Sequence, residues 1–167
     1  TVYPIFARAA REAIAGQDIY CHLQDPYRYS PFVAYAFTPL ASLPDAWGGV
    51  IWRLLNAAVF LGGLAWWSRC VLPETISRKQ QALLFLMAAP LAIGSLHNGQ
   101  SNALIVGLLL IGMAAVVTER WNLASACVAL ACLFKVYPIA LGLLLAIAYP
   151  RRLSLRLGLG IGLGLLV

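Results

Sequence analysis

Residues 95–102, SLHNGQSN, set an imidazole, three amides and two hydroxyls between apolar stretches. His97, Asn98, Gln100 and Asn102 are costly at a helix junction in apolar surroundings unless something satisfies them. Amides and imidazole both donate and accept, so such a cluster suits sugar hydroxyls and phosphate oxygens alike. The plainer reading of the same residues is an exposed turn between helices, with Asn98-Gly99 supplying the tight geometry. Lys135 is the second signal, because it sits in CLFKVYP deep within an apolar run where a cation needs a partner. It reads either as a lysine snorkelling from a helix end or as a point charge for a lipid-linked phosphate at the interface. In the second reading Tyr137 and Pro138 break the helix and open its end, since irregular backbone at membrane depth persists only beside a cavity.

A third group lies in the loop GQDIYCHLQDPYRYSP, which carries Tyr20, His22, Asp25, Arg28 and Tyr29. Asp25 and His22 could act as acid and base in principle, but loop carboxylates are usually only solvated. Arg28 with Tyr29 is the stronger pair for contacting a sugar or phosphate. Arg53, one turn into an apolar segment, reads as structural and paired with a carboxylate elsewhere. The four cysteines, Cys21, Cys70, Cys127 and Cys132, show no CxxC spacing and no neighbouring His ligands, so neither a disulfide nor a metal site is inferred. Gly158, Gly160, Gly162 and Gly164 contain GxxxG spacings, a weak packing signal.

The elements that must position these groups are apolar. The 167 residues are 62% hydrophobic and 11% charged, with mean hydropathy +0.82. A soluble domain is about 25% charged, so the composition predicts an all-α bundle of transmembrane helices rather than a water-soluble fold. Residues 5–15 alternate apolar and charged positions at helical spacing, which predicts a short amphipathic helix suited to the membrane surface, with Gly16 as its cap. The stretch PFVAYAFTPLASLP is too short to cross a bilayer and predicts an interfacial or re-entrant helix. Candidate spans cover 47–67, 80–96 and 101–118. Residues 122–149 form one long or two short segments broken at Lys135, and a last span starts near Leu153. The organisation predicted is an interfacial unit over 1–45 and a helical bundle over 46–167. The chain has neither an initiator Met nor a signal-peptide pattern, and it stops inside an apolar run, so it reads as a fragment cut at both ends.

Net charge is +6. The basic residues lie in short runs between apolar blocks instead of forming a basic face with stacking aromatics, which argues against a nucleic-acid partner. If direction alternates at each span, loops 68–79, 118–121 and 150–156 share one side. They carry Arg69, Arg78, Lys79, Arg120, Arg151, Arg152 and Arg156 against Glu74 and Glu119, a net of +5. The opposite side carries Arg8, Arg11, Arg28 and Lys135 against Glu12, Asp18, Asp25 and Asp45, a net of zero. The positive-inside rule places the basic loops in the cytoplasm and the polar, aromatic-rich loops outside.

Taken together the motifs resemble a known family. Gly16 to Tyr20 read G-x-D-x-Y, and Tyr29 to Pro44 hold P-F ahead of P-L-A-x-L-P. Trp52 to Asn56 read W-x-x-x-N, His97 to Asn102 read H-N-G-Q-x-N, and Lys135 opens K-x-Y-P ahead of an Arg-Arg turn. This order resembles the family-87 glycosyltransferases, polyprenol-phosphate-mannose-dependent α-1,2-mannosyltransferases, over nearly the whole chain. Ser30 displaces the second proline usual after the tyrosine of the family's Y-P-P. The resemblance implies a GT-C-type bundle acting outside the cytoplasm, with a polyprenyl-phosphate sugar as donor and a glycolipid or glycan hydroxyl as acceptor. It implies no cofactor and no required metal, and Arg28, Tyr29, His97, Asn98, Gln100, Asn102, Lys135 and Tyr137 as substrate-binding residues. The expected chemistry is direct displacement at the anomeric carbon with a carboxylate as general base. Lys135, His97 and Arg28 would stabilise the departing charge. The family's catalytic Asp lies just ahead of the helix that TVYPIFARAA resembles, a position before Thr1. The other reading is a non-catalytic membrane protein that binds or carries lipid-linked glycans. A transporter would show broken helices in two matching halves, and no such pairing is present.

Overall fold

The computed structural model describes residues 1–166, which are all-helical. Among the described residues the elements are α1 (Tyr3–Ile14), α2 (Pro31–Ala36), α3 (Thr38–Ala41), α4 (Asp45–Cys70), α5 (Arg78–His97), α6 (Asn102–Val117), α7 (Trp121–Phe134), α8 (Ile139–Ala148) and α9 (Leu155–Leu165). A π-helical turn, Pro150–Ser154, leads into α9. Helices α4 and α5 are long and apolar enough to cross a membrane.

Local chemistry sets the helix ends. Ser77 and Gln80 form a reciprocal capping box at the start of α5. At the end of α1, Gly16 takes a left-handed φ of 67°. Its N–H donates to the Ala13 carbonyl and that of Gln17 to Glu12, closing a Schellman motif. The end of α5 is built the same way: Gly99 has φ 66°, its N–H donates to Leu96 O, and Gln100 N–H donates to Ser95 O. The Asn98-Gly99 pair therefore ends α5 and turns the chain into α6. The interfacial helix expected over 31–44 is instead two short helices that meet at Phe37. Pro39, in the first turn of α3, has no N–H with which to continue α2.

Residues 122–149 resolve into two helices. Lys135 is extended (φ −151°, ψ 148°), and α8 folds back along α7, bringing Tyr149 to 5.2 Å from Trp121. At 1.5 Å per residue α7 is about 21 Å long and α8 about 15 Å. Each falls short of a hydrocarbon core of about 30 Å. Packing follows the order α4–α6, α6–α7 and α7–α9. The α4–α6 crossing is close because glycines meet there: a Cβ on Gly63 would lie 2.5 Å from the Gly107 carbonyl oxygen. Small residues at such crossings let backbones approach, and van der Waals contact then holds the pair.

Large apolar side chains on the outer faces stay uncovered, among them Leu86, Met87 and Leu91 on α5 and Leu144 and Ile147 on α8. In water that surface would drive association, whereas in lipid it is the solvated face. Helix α1 differs from the expectation for a surface helix. Its apolar face (Tyr3, Phe6, Ala9, Ala10) is buried against α2, α3 and α4 rather than left for lipid. Phe6 explains this, since it stacks on Phe37 at 4.6 Å and lies 5.6 Å from Trp52, and Trp52 in turn stacks on Phe134 at 6.1 Å. This aromatic cluster ties α1, the α2–α3 bend, α4 and the end of α7 into one platform beneath Lys135.

Candidate active site

Lys135 caps α7, where its extended backbone turns the chain away from the helix axis. Its Nζ donates to Asn102 Oδ1 at 2.6 Å, and Asn102 Nδ2 donates to Gln100 Oε1 at 2.7 Å. The lysine break and the α5–α6 turn, 33 residues apart, thus form one polar chain. The adjoining loop comes from the other side, where Ser30 N–H donates to the Leu133 carbonyl at 3.4 Å. A ladder of tyrosines holds that loop. Tyr20 donates to the Tyr29 carbonyl at 2.9 Å, Tyr27 donates to Ser30 O at 3.0 Å, and Tyr29 packs on Phe6 at 4.6 Å.

Between them lies an open cleft of about 500 Å³ lined by Arg28, Tyr29, Lys135 and Tyr137 over a floor of Leu133 and Phe134. Neither Lys135 nor Arg28 is in a salt bridge among the described residues. Two cations facing one cleft without a carboxylate make a site for an anion. Lys135 supplies a compact charge and Arg28 a planar fork that matches phosphate oxygens. Burial pushes the Tyr29 phenol above its ordinary range, with the adjacent Ser101 hydroxyl acting the other way. Tyr29 is therefore a neutral donor at physiological pH. Ser101 Oγ is itself buried and, among the described residues, outside hydrogen-bond geometry with a partner.

Of the sequence-predicted residues, the fold brings Arg28, Tyr29, Lys135 and Tyr137 to the cleft and joins Asn102 and Gln100 to it through Lys135. His97 and Asn98 are exposed and do not line it. Their backbones are used instead: Val2 N–H donates to Asn98 O at 2.7 Å and Arg53 Nη2 to His97 O at 3.2 Å. Asp18 and Asp25 are also exposed, Asp18 capping its own turn by accepting from Tyr20 N–H at 2.9 Å. His22 Nε2 meets Glu12 Oε1 at 2.7 Å, a pair outside the cleft. Among the described residues no three His, Cys, Asp or Glu side chains converge as metal ligands would.

Arg53 is structural, as expected, but among the described residues its partners are carbonyls rather than a carboxylate. Its Nε donates to Leu96 O at 3.1 Å, Nη1 to Gly49 O at 2.9 Å and Nη2 to His97 O, so it caps the carbonyls at the end of α5. Two further positioning residues went unassigned in the sequence. Trp52 Nε1 donates to Gly99 O at 2.9 Å, and the fully buried Asn56 accepts from Leu104 N–H at 3.2 Å, satisfying the first turn of α6 from α4. Both lie in W-x-x-x-N, one helical turn apart, so the spacing marks a single face of α4. Arg53→Met is expected to lower stability by about 1–2 kcal/mol, because three charged hydrogen bonds to part-buried and exposed carbonyls are lost together. The check is thermal melting in detergent, in which wild type and variant part by several degrees.

The helical chain thus has outward apolar faces and, at one end, a cationic cleft floored by apolar side chains. Residues 27–167 match glycosyltransferase family 87, and the chain belongs to that family of membrane glycosyltransferases. A sugar donor and an acceptor follow from that membership. No curated protein and no solved structure matches the chain.

Proposed function

We propose that this chain forms the donor side of a membrane glycosyltransferase that moves a hexose, mannose first among candidates, from a polyprenyl phosphate to a hydroxyl of a glycolipid or glycan on the extracytoplasmic face. The observation that carries this reading is the uncompensated Lys135–Arg28 cleft. In the transfer, the acceptor oxygen forms its bond to the anomeric carbon as the bond from that carbon to the phosphate oxygen breaks. The phosphate leaves with the electron pair, and the acceptor proton passes to a carboxylate base. Lys135 and Arg28 stabilise the charge that grows on the phosphate, and Tyr29 and Tyr137 flank the sugar. His97 and Asn98, at the exposed edge of the turn, are assigned to the acceptor side.

A second feature supports a lipid-linked donor. An apolar groove of about 300 Å³ runs between α4, α5 and α6, lined by Phe60, Leu64, Leu91, Val106 and Leu110, and reaches Ser95 and Asn102. Asn102 is also the acceptor of Lys135. A molecule with its tail in the groove would meet the polar chain that leads to the cation. The alternative reading, a carrier that binds lipid-linked glycans without reaction, is favoured by one observation: no carboxylate lines the cleft.

Labelled mannose, glucose and arabinose on polyprenyl phosphate, offered to sealed vesicles of both orientations containing the full-length protein, separate these readings. Transfer from the mannose donor in right-side-out vesicles is the expected result. Binding of every donor without transfer would leave the carrier, and transfer confined to inverted vesicles would overturn the assigned face.

A further inference from the structure

The end of the bundle opposite Lys135 holds a second cationic cleft that sugar transfer does not use. It is about 370 Å³ and is lined by two cations, Arg120 and Arg156, one carboxylate, Glu119, and by Trp121, Asn122 and Leu123. Helix α6, 16 residues long, separates it from Asn102 by about 24 Å. Its lining comes from the α6–α7 turn, the start of α7 and, through Arg156, the first turn of α9. Each arginine is held by a neutral group. Arg120 lies over the Trp66 ring at 5.4 Å and Arg152 over Trp121 at 6.0 Å. Arg156 Nε donates to Asn122 Oδ1 at 2.7 Å and its Nη1 to the Arg152 carbonyl. None is in a salt bridge among the described residues, Glu119 included.

Snorkelling alone would leave these side chains loose in the headgroup layer. Here they are fixed in register by Leu153, which is buried among Ala115, Val116 and Ala124 and anchors the π-helical turn. The tryptophans Trp66 and Trp121 pack against the same cluster, at the level where indoles favour the membrane interface. Aromatic faces and amide oxygens orient a guanidinium without neutralising it, so its charge stays available to a ligand.

We propose that the Arg120–Arg156 cleft binds the phosphate of an anionic membrane lipid, whose tails lie along the apolar outer face of the bundle. Arg156 and Arg120 contact the phosphate oxygens, Arg152 adds to the field, and the tryptophans sit against the glycerol. The bound lipid clamps the α6–α7 turn to the first turn of α9, and so stabilises the folded state by mass action. Its headgroup phosphate is shared chemistry with soluble anions, which the experiment separates.

The test uses the full-length protein in nanodiscs of phosphatidylcholine, with phosphatidylglycerol added in steps. Wild type is expected to gain about 4 °C in melting temperature, and native mass spectra are expected to retain phosphatidylglycerol adducts. The R120Q/R156Q protein is expected to lose both, while R151Q, whose side chain does not line the cleft, keeps them. Should the double variant fail to fold, R120Q and R156Q singly are each expected to show fewer adducts than wild type. Equal adducts and equal shifts in wild type and variants would overturn the site. Inorganic phosphate at millimolar concentration reproducing the shift in phosphatidylcholine alone would overturn the assignment to lipid.

Discussion

Lys135→Ala is expected to reduce sugar transfer by roughly 10²–10³-fold, the loss seen when one preorganised donor to a developing anion is removed. The lysine is placed for that role by its surroundings. Its Nζ is fixed by Asn102 Oδ1 at 2.6 Å, a neutral acceptor that orients the side chain without cancelling its field as a carboxylate would. The extended backbone at Lys135 also frees it from the α7 axis, so the side chain is presented to the cleft beside Arg28 rather than along the helix. In the proposed transfer charge grows on the phosphate as the anomeric bond breaks, so the loss should fall mainly on kcat, with a smaller change in KM for the donor. Lys135→Arg should recover part of the rate, since charge is kept but the reach to Asn102 changes. Steady-state transfer with polyprenyl-phosphate-mannose, at matched protein levels and melting temperatures, is the measurement. Lys135→Ala with unaltered kcat would remove the lysine from the reaction.

The sequence made the cleft half legible, for a physical reason. Lys135, Asn102 and Gln100 stand out because polar groups in an apolar context must find partners, and they find one another. The break at Lys135 was readable from Pro138, which α7 cannot continue through. His97 and Asn98 sit in the same motif yet their side chains stay exposed, and only their backbone carbonyls are used, by Arg53 Nη2 and the Val2 N–H. Residue type carries no mark of that. The partners of Arg53 were misread for the same reason: they are carbonyls of residues 49, 96 and 97, and a carbonyl belongs to every residue. The face of α1 could be read from periodicity, but not what would cover it. Lipid and a layer of Phe37 and Trp52 ask for the same apolar stripe, and only the fold decides between them. Apolar runs likewise marked the long helices α4 and α5, while the choice between one long and two short helices over 122–149, left open by a break at Lys135, was decided by the fold.

Gly107→Leu is expected to be among the most damaging single changes to the fold, although it lies far from any charged group. A Cβ at Gly107 would stand 2.6 Å from both the carbonyl carbon and oxygen of Val59 and 2.7 Å from Phe60 N. Those are backbone atoms of α4, which cannot rotate aside as a side chain would. Overpacking usually costs about 1–3 kcal/mol. Here the helices must separate, so the cost should reach or exceed about 3 kcal/mol, a large share of the roughly 5–15 kcal/mol that holds a typical domain. Gly62→Ala provides the contrast, since its Cβ meets nothing within 4 Å and alanine is the better helix former by about 1 kcal/mol. Melting in detergent should therefore show Gly107→Leu strongly destabilised and Gly62→Ala unchanged or slightly raised. The consequence reaches the site through α4 itself, which carries Trp52, Arg53 and Asn56 against the α5–α6 turn and the first turn of α6. Prising α4 from α6 withdraws those anchors, and Asn102 loses its alignment with Lys135. The smaller Gly107→Ala, if it folds, is expected to lose transfer activity in proportion to that misalignment before it loses the fold, which ties the glycine crossing to the position of the cation.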